Sequence, residues 1–276
     1  MAGEDSLARL VAAVQSSAKY ANFSEDLIRG IGAQELAHRG SLKEAVKATK
    51  NKLHQVSGAY VGPRMDLRSM TARLAVQDLT QDNPEGRDML LGWMALHAST
   101  RERLPILEDF FKQTLSKLTP IRSVLDLACG FNPLALPWMP LAPDAPYYGC
   151  EVDREVVAFL NQTLTAFQRR GKIETCDLFT HIPQHRVHLA MALKTIPCLE
   201  QLDKSIGLRL LDGLQAEFLL VSFPVASLGG RDKGMLAHYT DHFTGLLASR
   251  NWPYEIFEFS TELAFLIHKQ PGAANA

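Results

Sequence analysis

The sequence predicts an α/β fold with a seven-stranded sheet, preceded by an all-helical region of about a hundred residues. Three observations carry this. From Pro120 onward, short β-branched or aromatic runs alternate with helical stretches. The last two such runs lie close together with only a turn between them. Before Pro120 the apolar residues recur at three and four, the period of a helix face. The chain has 276 residues and is 46% hydrophobic, enough for one or two domains with a real core. The division is placed at 1–104 and 105–276.

The helices follow in order. Leu7, Leu10, Val11 and Val14 make one face of a helix over Ser6–Ser16, and Ser24–His38 is similar. Ser41 with Glu44 three residues on forms a capping box. In the helix after it, Leu42, Val46, Thr49, Leu53 and Val56 form one stripe. Lys43, Lys47, Lys50 and His54 form the adjacent stripe, within an arc of about 60°. A further helix runs from about Asp66 to Leu79. Asp82-Asn-Pro-Glu-Gly86 reads as a break, followed by a long helix from Arg87 into Ala98. Pro105 favours the first turn of a helix over Ile106–Leu118.

The strands are Ser123–Leu127, Tyr147–Cys150, Lys172–Cys176, Val187–Leu193 and Glu217–Phe223, then Glu255–Phe259 and Leu263–His268. Alternation of strand and helix implies a parallel sheet covered on both faces, closed here by a terminal strand pair. That is the class I, Rossmann-like methyltransferase plan. Ligands of open α/β sheets bind outside the carboxyl ends of the strands.

The most informative stretch is Val124-Leu-Asp-Leu-Ala-Cys-Gly-Phe-Asn-Pro133. A buried strand carrying Asp126 meets a tight turn at Gly130, where the lack of a side chain allows close approach to the backbone. Glu151 closes the next apolar run and is placed to take both hydroxyls of a ribose. The three glycines of the dinucleotide fingerprint are absent, so a nucleoside cofactor without a diphosphate fits best, and S-adenosylmethionine is the expected one. Asp177 ends the third strand, where a carboxylate accepts from an adenine amino group. Lys194 ends the fourth, where methyl donor and target meet.

Composition excludes other classes. Net charge is −1, so the whole chain shows no strong preference for acidic or basic partners. Locally, between Arg39 and Arg73, eight Lys and Arg stand against two acids, Glu44 and Asp66. Cys129, Cys150, Cys176 and Cys198 form no Cys-x-x-Cys pair and are expected to be reduced thiols, the first three under the pocket, with no metal. No signal peptide or membrane-length apolar run is read, and a cytoplasmic protein is expected. The end, Gln270-Pro-Gly-Ala-Ala-Asn-Ala276, is expected to be a disordered tail.

His97-Ala-Ser-Thr-Arg-Glu-Arg-Leu104, Asp126-Leu-Ala-Cys-Gly-Phe-Asn-Pro-Leu134, Leu193-Lys-Thr-Ile-Pro-Cys-Leu-Glu200 and Ser222-Phe-Pro-Val-Ala-Ser-Leu-Gly-Gly-Arg-Asp-Lys-Gly-Met235 resemble the aminoglycoside-resistance 16S ribosomal RNA methyltransferases. Ser17-Ala-Lys-Tyr20, Lys52-Leu-His-Gln-Val-Ser-Gly-Ala-Tyr60 and Thr261-Glu-Leu-Ala-Phe265 extend the likeness over nearly the whole chain. The resemblance implies methylation of N7 of one decoding-site guanine in the 30S subunit, by a monomer using S-adenosylmethionine. It implies that Arg103 clamps the cofactor carboxylate, with Ala128, Gly130, Glu151, Asp177, Leu178 and Lys194 completing the cofactor contacts. Lys194, Glu200, Met235 and Glu262 would surround the target base. Lys19, Lys43, Lys47, Lys50, Lys52, His54 and Arg231 would grip the RNA, with Arg64 and Arg68 as extensions of the patch. Three departures stand out. Glu151 occupies a position where many relatives have Asp, Phe131 one where several have Leu, and Val225-Ala226 lacks a basic residue that some carry.

The absent motifs agree. There is no Asn-Pro-Pro-Tyr or Asp-Pro-Pro-Tyr to grip an exocyclic amine. Pro197-Cys198 superficially matches a carbon-5 nucleophile loop, but its flanks match the N7 group. Guanine N7 carries a free lone pair and needs no base, so catalysis would be mostly positioning. Three alternatives stay open on the residues alone: an adenine-N1 methyltransferase of the same RNA region, a small-molecule methyltransferase, and a non-catalytic ribosome-binding protein.

Overall fold

The computed structural model describes residues 2–54, 65–79, 83–225 and 234–269. The chain opens with three helices, α1 (Ala2–Gln15), α2 (Glu25–His38) and α3 (Leu42–Leu53). Their apolar stripes meet in a small core of their own, with Leu10, Val14, Phe23, Ile28, Ala45 and Leu53 at 2% exposure or less. The Ser41 cap is present: its hydroxyl accepts from Glu44 N at 3.3 Å and donates to the Glu44 carboxylate at 3.1 Å. Glu44 therefore bonds the cap side chain here.

Next come α4 (Leu67–Leu74), α5 (Pro84–Met94) and α6 (Ala98–Arg103). Asp66 caps α4, accepting from Ser69 N at 3.0 Å. The expected break at 82–86 is shorter than the sequence suggested. Asn83 caps α5 and Pro84 takes its first turn, a position where its missing N–H costs nothing. The expected long helix ends at Met94, and the chain turns before α6. Then α7 (Leu107–Leu115) is flanked by 3₁₀ turns at Leu104–Ile106 and Ser116–Leu118.

The sheet contains β1 (Val124–Asp126), β2 (Tyr147–Glu151), β3 (Gly171–Thr175), β4 (Val187–Leu193), β5 (Ala216–Pro224), β6 (Tyr254–Glu258) and β7 (Glu262–His268). Its order is β3-β2-β1-β4-β5-β7-β6, parallel except that β7 runs antiparallel to both neighbours. The expected terminal strand pair thus inserts β7 beside β5 and leaves β6 at the edge. Helices α8 (Arg154–Ala166), α9 (Thr195–Leu199), α10 (Ile206–Gly213) and α11 (Met235–Leu247) complete the crossovers. At the other edge, Asn161 of α8 clamps β3 by bonding both N and O of Ile173, at 3.0 and 2.8 Å.

Two apolar clusters cover the two faces of the sheet. One of them continues across residue 104. It joins Met70, Leu74, Leu90, Trp93 and Met94 to Phe110, Phe131, Phe159 and Leu220. The segment with a core of its own is the three-helix unit, described up to residue 54. It docks beside β2 through a bridge between Phe23 and Asp153, with Ser24 N donating to Val152 O at 3.0 Å and Arg154 N to Asn22 O at 3.0 Å.

Candidate active site

A cavity of about 470 Å³ opens at the carboxyl ends of β1 to β4. Arg103, Ala128, Gly130, Glu151, Asp177, Leu178 and Lys194, all expected around a cofactor, line it together. Its other wall comes from the three-helix unit: Ala18, Lys19, Asn22, Phe23 and Leu27. That wall has no signature in the residues alone, because it depends on docking between the helices and β2, segments more than a hundred residues apart.

The turn after β1 is held in the left-handed region, at φ 48° for both Ala128 and Gly130. For Ala128 this conformation costs about 1–2 kcal/mol. Gly130 has a second constraint: a Cβ there would lie 2.6 Å from Cε1 of His97. The close approach foreseen for a ligand is thus made by the His97 ring, which stacks on Phe131 at 5.5 Å. Burial, and then the charges of Arg103, Lys194 and Arg101, lower the His97 pKa to about 4, so the ring is neutral.

Asp126 is buried beneath this turn. It accepts from Tyr147 OH at 2.5 Å and from Asn132 Nδ2 at 2.8 Å. Burial lifts its pKa to about 6 against the opposing pull of these bonds and of Arg103. Asn132 in turn accepts from Arg103 Nη1 at 3.2 Å. The turn, the sheet and α6 are therefore tied by one polar chain.

Arg103 forks onto Glu262, with Nη2 2.7 Å from Oε1 and Nε 3.0 Å from Oε2. Ser222 donates to Glu262 Oε1 at 2.5 Å, and Lys194 Nζ lies 3.4 Å from Oε2. Glu262 is 0% exposed. Burial alone would raise its pKa, but Arg103, Lys194 and the hydrogen bonds of Arg103 and Ser222 hold it below the usual range. Lys194 has positive φ, 58°, and its ammonium meets Glu102 Oε2 at 2.8 Å and Ser99 O at 3.3 Å. Glu102 was missed by sequence reasoning: a carboxylate in Arg-Glu-Arg reads as an ordinary helix surface.

Glu151 bridges the two turns, accepting from Gly130 N at 3.0 Å and Val152 N at 2.7 Å. Burial raises its pKa. Asp177 accepts from Phe179 N at 2.9 Å and Thr180 Oγ1 at 3.0 Å, and burial raises its pKa too. None of the four cysteines forms a disulfide, and all four line the cavity. Burial pushes the Cys129 thiol well up, and a hydrogen bond with Cys176 followed by burial does the same for Cys150.

The four residues foreseen around the target base separate. Lys194 faces the cavity, whereas Glu262 is sealed behind Arg103 and does not line it. Glu200 is also buried and turns to His242 Nε2 at 2.9 Å. Met235 opens α11, half-buried, outside the cavity lining.

On the three-helix unit, Lys19, Lys43, Lys47 and His54 are exposed, and Lys19 Nζ meets His54 Nδ1 at 2.8 Å. Lys50 donates to Ser17 Oγ at 2.6 Å. Lys52 differs, pairing with the buried Glu35 at 2.7 Å, off the exposed stripe. Arg68 is exposed. Arg64, Arg231, Ala226, the motif portions at 55–60 and 226–233, and the expected C-terminal tail lie outside the described residues. Among the described residues no three His, Cys, Asp or Glu side chains converge as a metal site, and no helix is long and apolar enough to cross a membrane.

Comparison with known proteins agrees with this geometry. The ribosomal RNA methyltransferase family (FmrO) matches residues 16–266. A 16S rRNA (guanine(1405)-N(7))-methyltransferase of Micromonospora rosea is 31% identical, over 97% of this chain and 98% of its own. Enzymes of the same name from Frankia casuarinae and Serratia marcescens are 33% and 34% identical, covering 96% and 93% of this chain and 95% and 96% of theirs. Among solved structures, the 16S rRNA methyltransferase RmtF in complex with S-adenosyl-L-homocysteine superposes with TM-score 0.80 at 30% identity, covering 96% of this chain and 98% of its own. The 16S rRNA methylase RmtB superposes with TM-score 0.79 at 28% identity, with the same coverage.

Proposed function

The chain belongs to the FmrO ribosomal RNA methyltransferase family, and from that premise we propose that it transfers a methyl group from S-adenosylmethionine to N7 of guanine 1405 of 16S rRNA. The observation that carries this reading is the convergence of Glu151, Asp177 and Lys194 at the ends of β2, β3 and β4 on one cavity. Relatives spanning nearly the whole chain bear that activity in their names.

The cavity fits the cofactor in size and chemistry. A carboxylate has about four acceptor positions, so Glu151 keeps capacity for ribose hydroxyls beside its backbone bonds. Asp177 is held by Phe179 N and Thr180, which aim it from the end of β3 toward an amino group. Arg103 has five N–H groups, of which Nε, one on Nη1 and one on Nη2 are engaged, leaving two for a carboxylate. When bound, S-adenosylmethionine supplies an electrophilic methyl on a sulfonium. The protein's part is to orient it, hold the base in line and exclude water. N7 needs no deprotonation, so the neutral His97 and the sealed Glu262 act by positioning. The target base leaves its stack to reach the site, at roughly a few kcal/mol offset by new contacts.

We extend this reading to the assembled 30S subunit as substrate, met by a monomer in the cytoplasm. The exposed Lys43, Lys47 and His54, with Lys19 at the cavity rim, support a phosphate-gripping face next to the active site. We propose that recognition is carried by the helical N-terminal part, in which the three helices up to Leu53 share a core of their own, and catalysis by the sheet domain that follows. The test is labelled methyl transfer to purified small subunits, mapped by borohydride–aniline cleavage. A single scission at guanine 1405 is expected, with gentamicin and kanamycin resistance in expressing cells. Label without scission would move the reading to adenine N1.

A further inference from the structure

We propose that Glu102 and Lys194 act as a pair that reads the target guanine, Lys194 donating to O6 and Glu102 accepting from N1–H and the 2-amino group. This rests on the proposed guanine-N7 activity and adds the element that selects the base.

Three carboxylates were candidates to face a base near Lys194, and two are buried, Glu200 with one oxygen that makes no hydrogen bond. Glu262 is 0% exposed and bonded by Arg103 and Ser222. Glu200 is buried with one oxygen on His242 Nε2 and the other against Gly207, where a Cβ would lie 2.7 Å from it. Glu102 alone of the three is open, with its side chain 29% exposed. One of its oxygens holds Lys194 Nζ at 2.8 Å, and the other makes no hydrogen bond to any described residue. Lys194 itself is fixed. Its backbone N donates to Ser222 O at 3.0 Å, and its ammonium is braced by Ser99 O. A cation and a carboxylate are thus held side by side at the cavity's edge, Lys194 lining it at the end of β4 and Glu102 just outside the lining, open to solvent.

Around guanine, N7 and O6 are acceptors, and N1–H and the 2-amino group are donors. With N7 aimed at the methyl group, O6 comes next along the edge, then N1–H. A fixed ammonium followed by a carboxylate matches that order with charge-assisted hydrogen bonds. Adenine reverses it: a 6-amino donor would face the ammonium and the N1 lone pair the carboxylate. A site built to bond one pattern rejects the other, because its own polar groups are left unpaired. The pair also suits the product. The N7 lone pair forms the new C–N bond, the S–C bond breaks with its electrons left on sulfur, and the positive charge passes to the base beside Glu102.

The experiment uses 30S subunits reconstituted with guanosine or inosine at position 1405; inosine lacks only the 2-amino group. Single-turnover methylation is measured with wild type and Glu102→Gln, with cofactor affinity by calorimetry as the check on folding. Wild type is expected to lose roughly tenfold on inosine, the worth of one bond to a charged acceptor. In Glu102→Gln the guanosine rate falls by roughly a hundredfold with cofactor affinity kept, and the inosine penalty shrinks to under threefold, while Glu102→Asp restores part of both. An inosine penalty equal in both enzymes would overturn the inference and leave Glu102 as a counter-ion to Lys194. Failure of wild type to methylate guanosine at all would instead overturn the proposed activity.

Discussion

Replacing Glu262 by Gln isolates what the sealed ion cluster contributes. The carboxylate is 0% exposed, faces Arg103 at 2.7 Å and Lys194 at 3.4 Å, and accepts from Ser222 as well. Glutamine keeps the shape and removes the charge. Whichever way the amide is turned, its NH₂ faces an N–H of Arg103, because the fork engages both oxygens. The variant loses at least one bond to a charged group, about 1.5–3 kcal/mol, and leaves a buried guanidinium uncompensated. Removing one partner of a buried pair typically costs about 3–5 kcal/mol in all. At about 2.1 cal/mol/K per residue, unfolding this chain has an entropy near 0.6 kcal/mol/K, so Tm should fall by about 5–8 °C. Because the folded-state pKa of Glu262 is depressed, its contribution is complete above the unfolded value and is lost only as pH falls through the folded one. The difference between wild type and variant should therefore be flat from about pH 5.5 to 8. Urea and thermal unfolding across that range measure it. Replacing both partners, Arg103→Met with Glu262→Leu, should recover more than half of the loss. A loss under about 1 kcal/mol, or a double variant as unstable as the sum of the singles, would refute the claim that these groups form one coupled cluster.

Four other outcomes follow from the geometry. Gly130→Ala should lose about 1–2 kcal/mol from the left-handed backbone alone and more from the 2.6 Å approach to His97. Adding His97→Ala should return the second part, read by chemical denaturation and cofactor titration. The His97 pKa near 4 makes stability fall as pH drops from 6.5 toward 4, because the unfolded chain takes up a proton first. That amounts to about 3 kcal/mol, and a His97→Phe variant, keeping the stack on Phe131, should lose this slope. Asp126 acts in the opposite sense. Its pKa near 6 makes stability fall as pH rises from about 4 through 6, so an Asp126→Asn variant should gain on wild type over that interval. Lys43→Ala with Lys47→Ala should weaken 30S binding and lower its salt slope by roughly one to two, leaving calorimetric cofactor affinity unchanged.

Local chemistry made much of this legible in advance. The strands were visible from composition, and β4 is bounded by Val187 and Leu193 as read. The carboxylates at the strand ends needed only the rule that ligands bind there. What sequence could not provide depends on contacts across distance. Tyr147 bonds Asp126 from another strand, and Glu262 meets Arg103 across 159 positions. A buried and an open glutamate look alike in sequence, so the burial of Glu262 and Glu200 and the exposure of Glu102 are visible only in the fold. Lys52 shared the basic stretch of its neighbours, but its register on α3 carries it to Glu35. The start of α5 was missed because Asn-Pro reads as a breaker, although it is also a cap followed by a first-turn residue.

The joint between the three-helix unit and the sheet lies at Val152, the residue that follows Glu151. Val152 accepts from Ser24, while Val152 N donates to the Glu151 carboxylate itself. A helical unit that tilts on ribosomal RNA therefore moves the group proposed to hold the cofactor's ribose, with one residue as the lever arm. Linkage of this kind is reciprocal: whatever affinity the RNA gains from a loaded cavity, the cofactor gains from bound RNA, by the same factor.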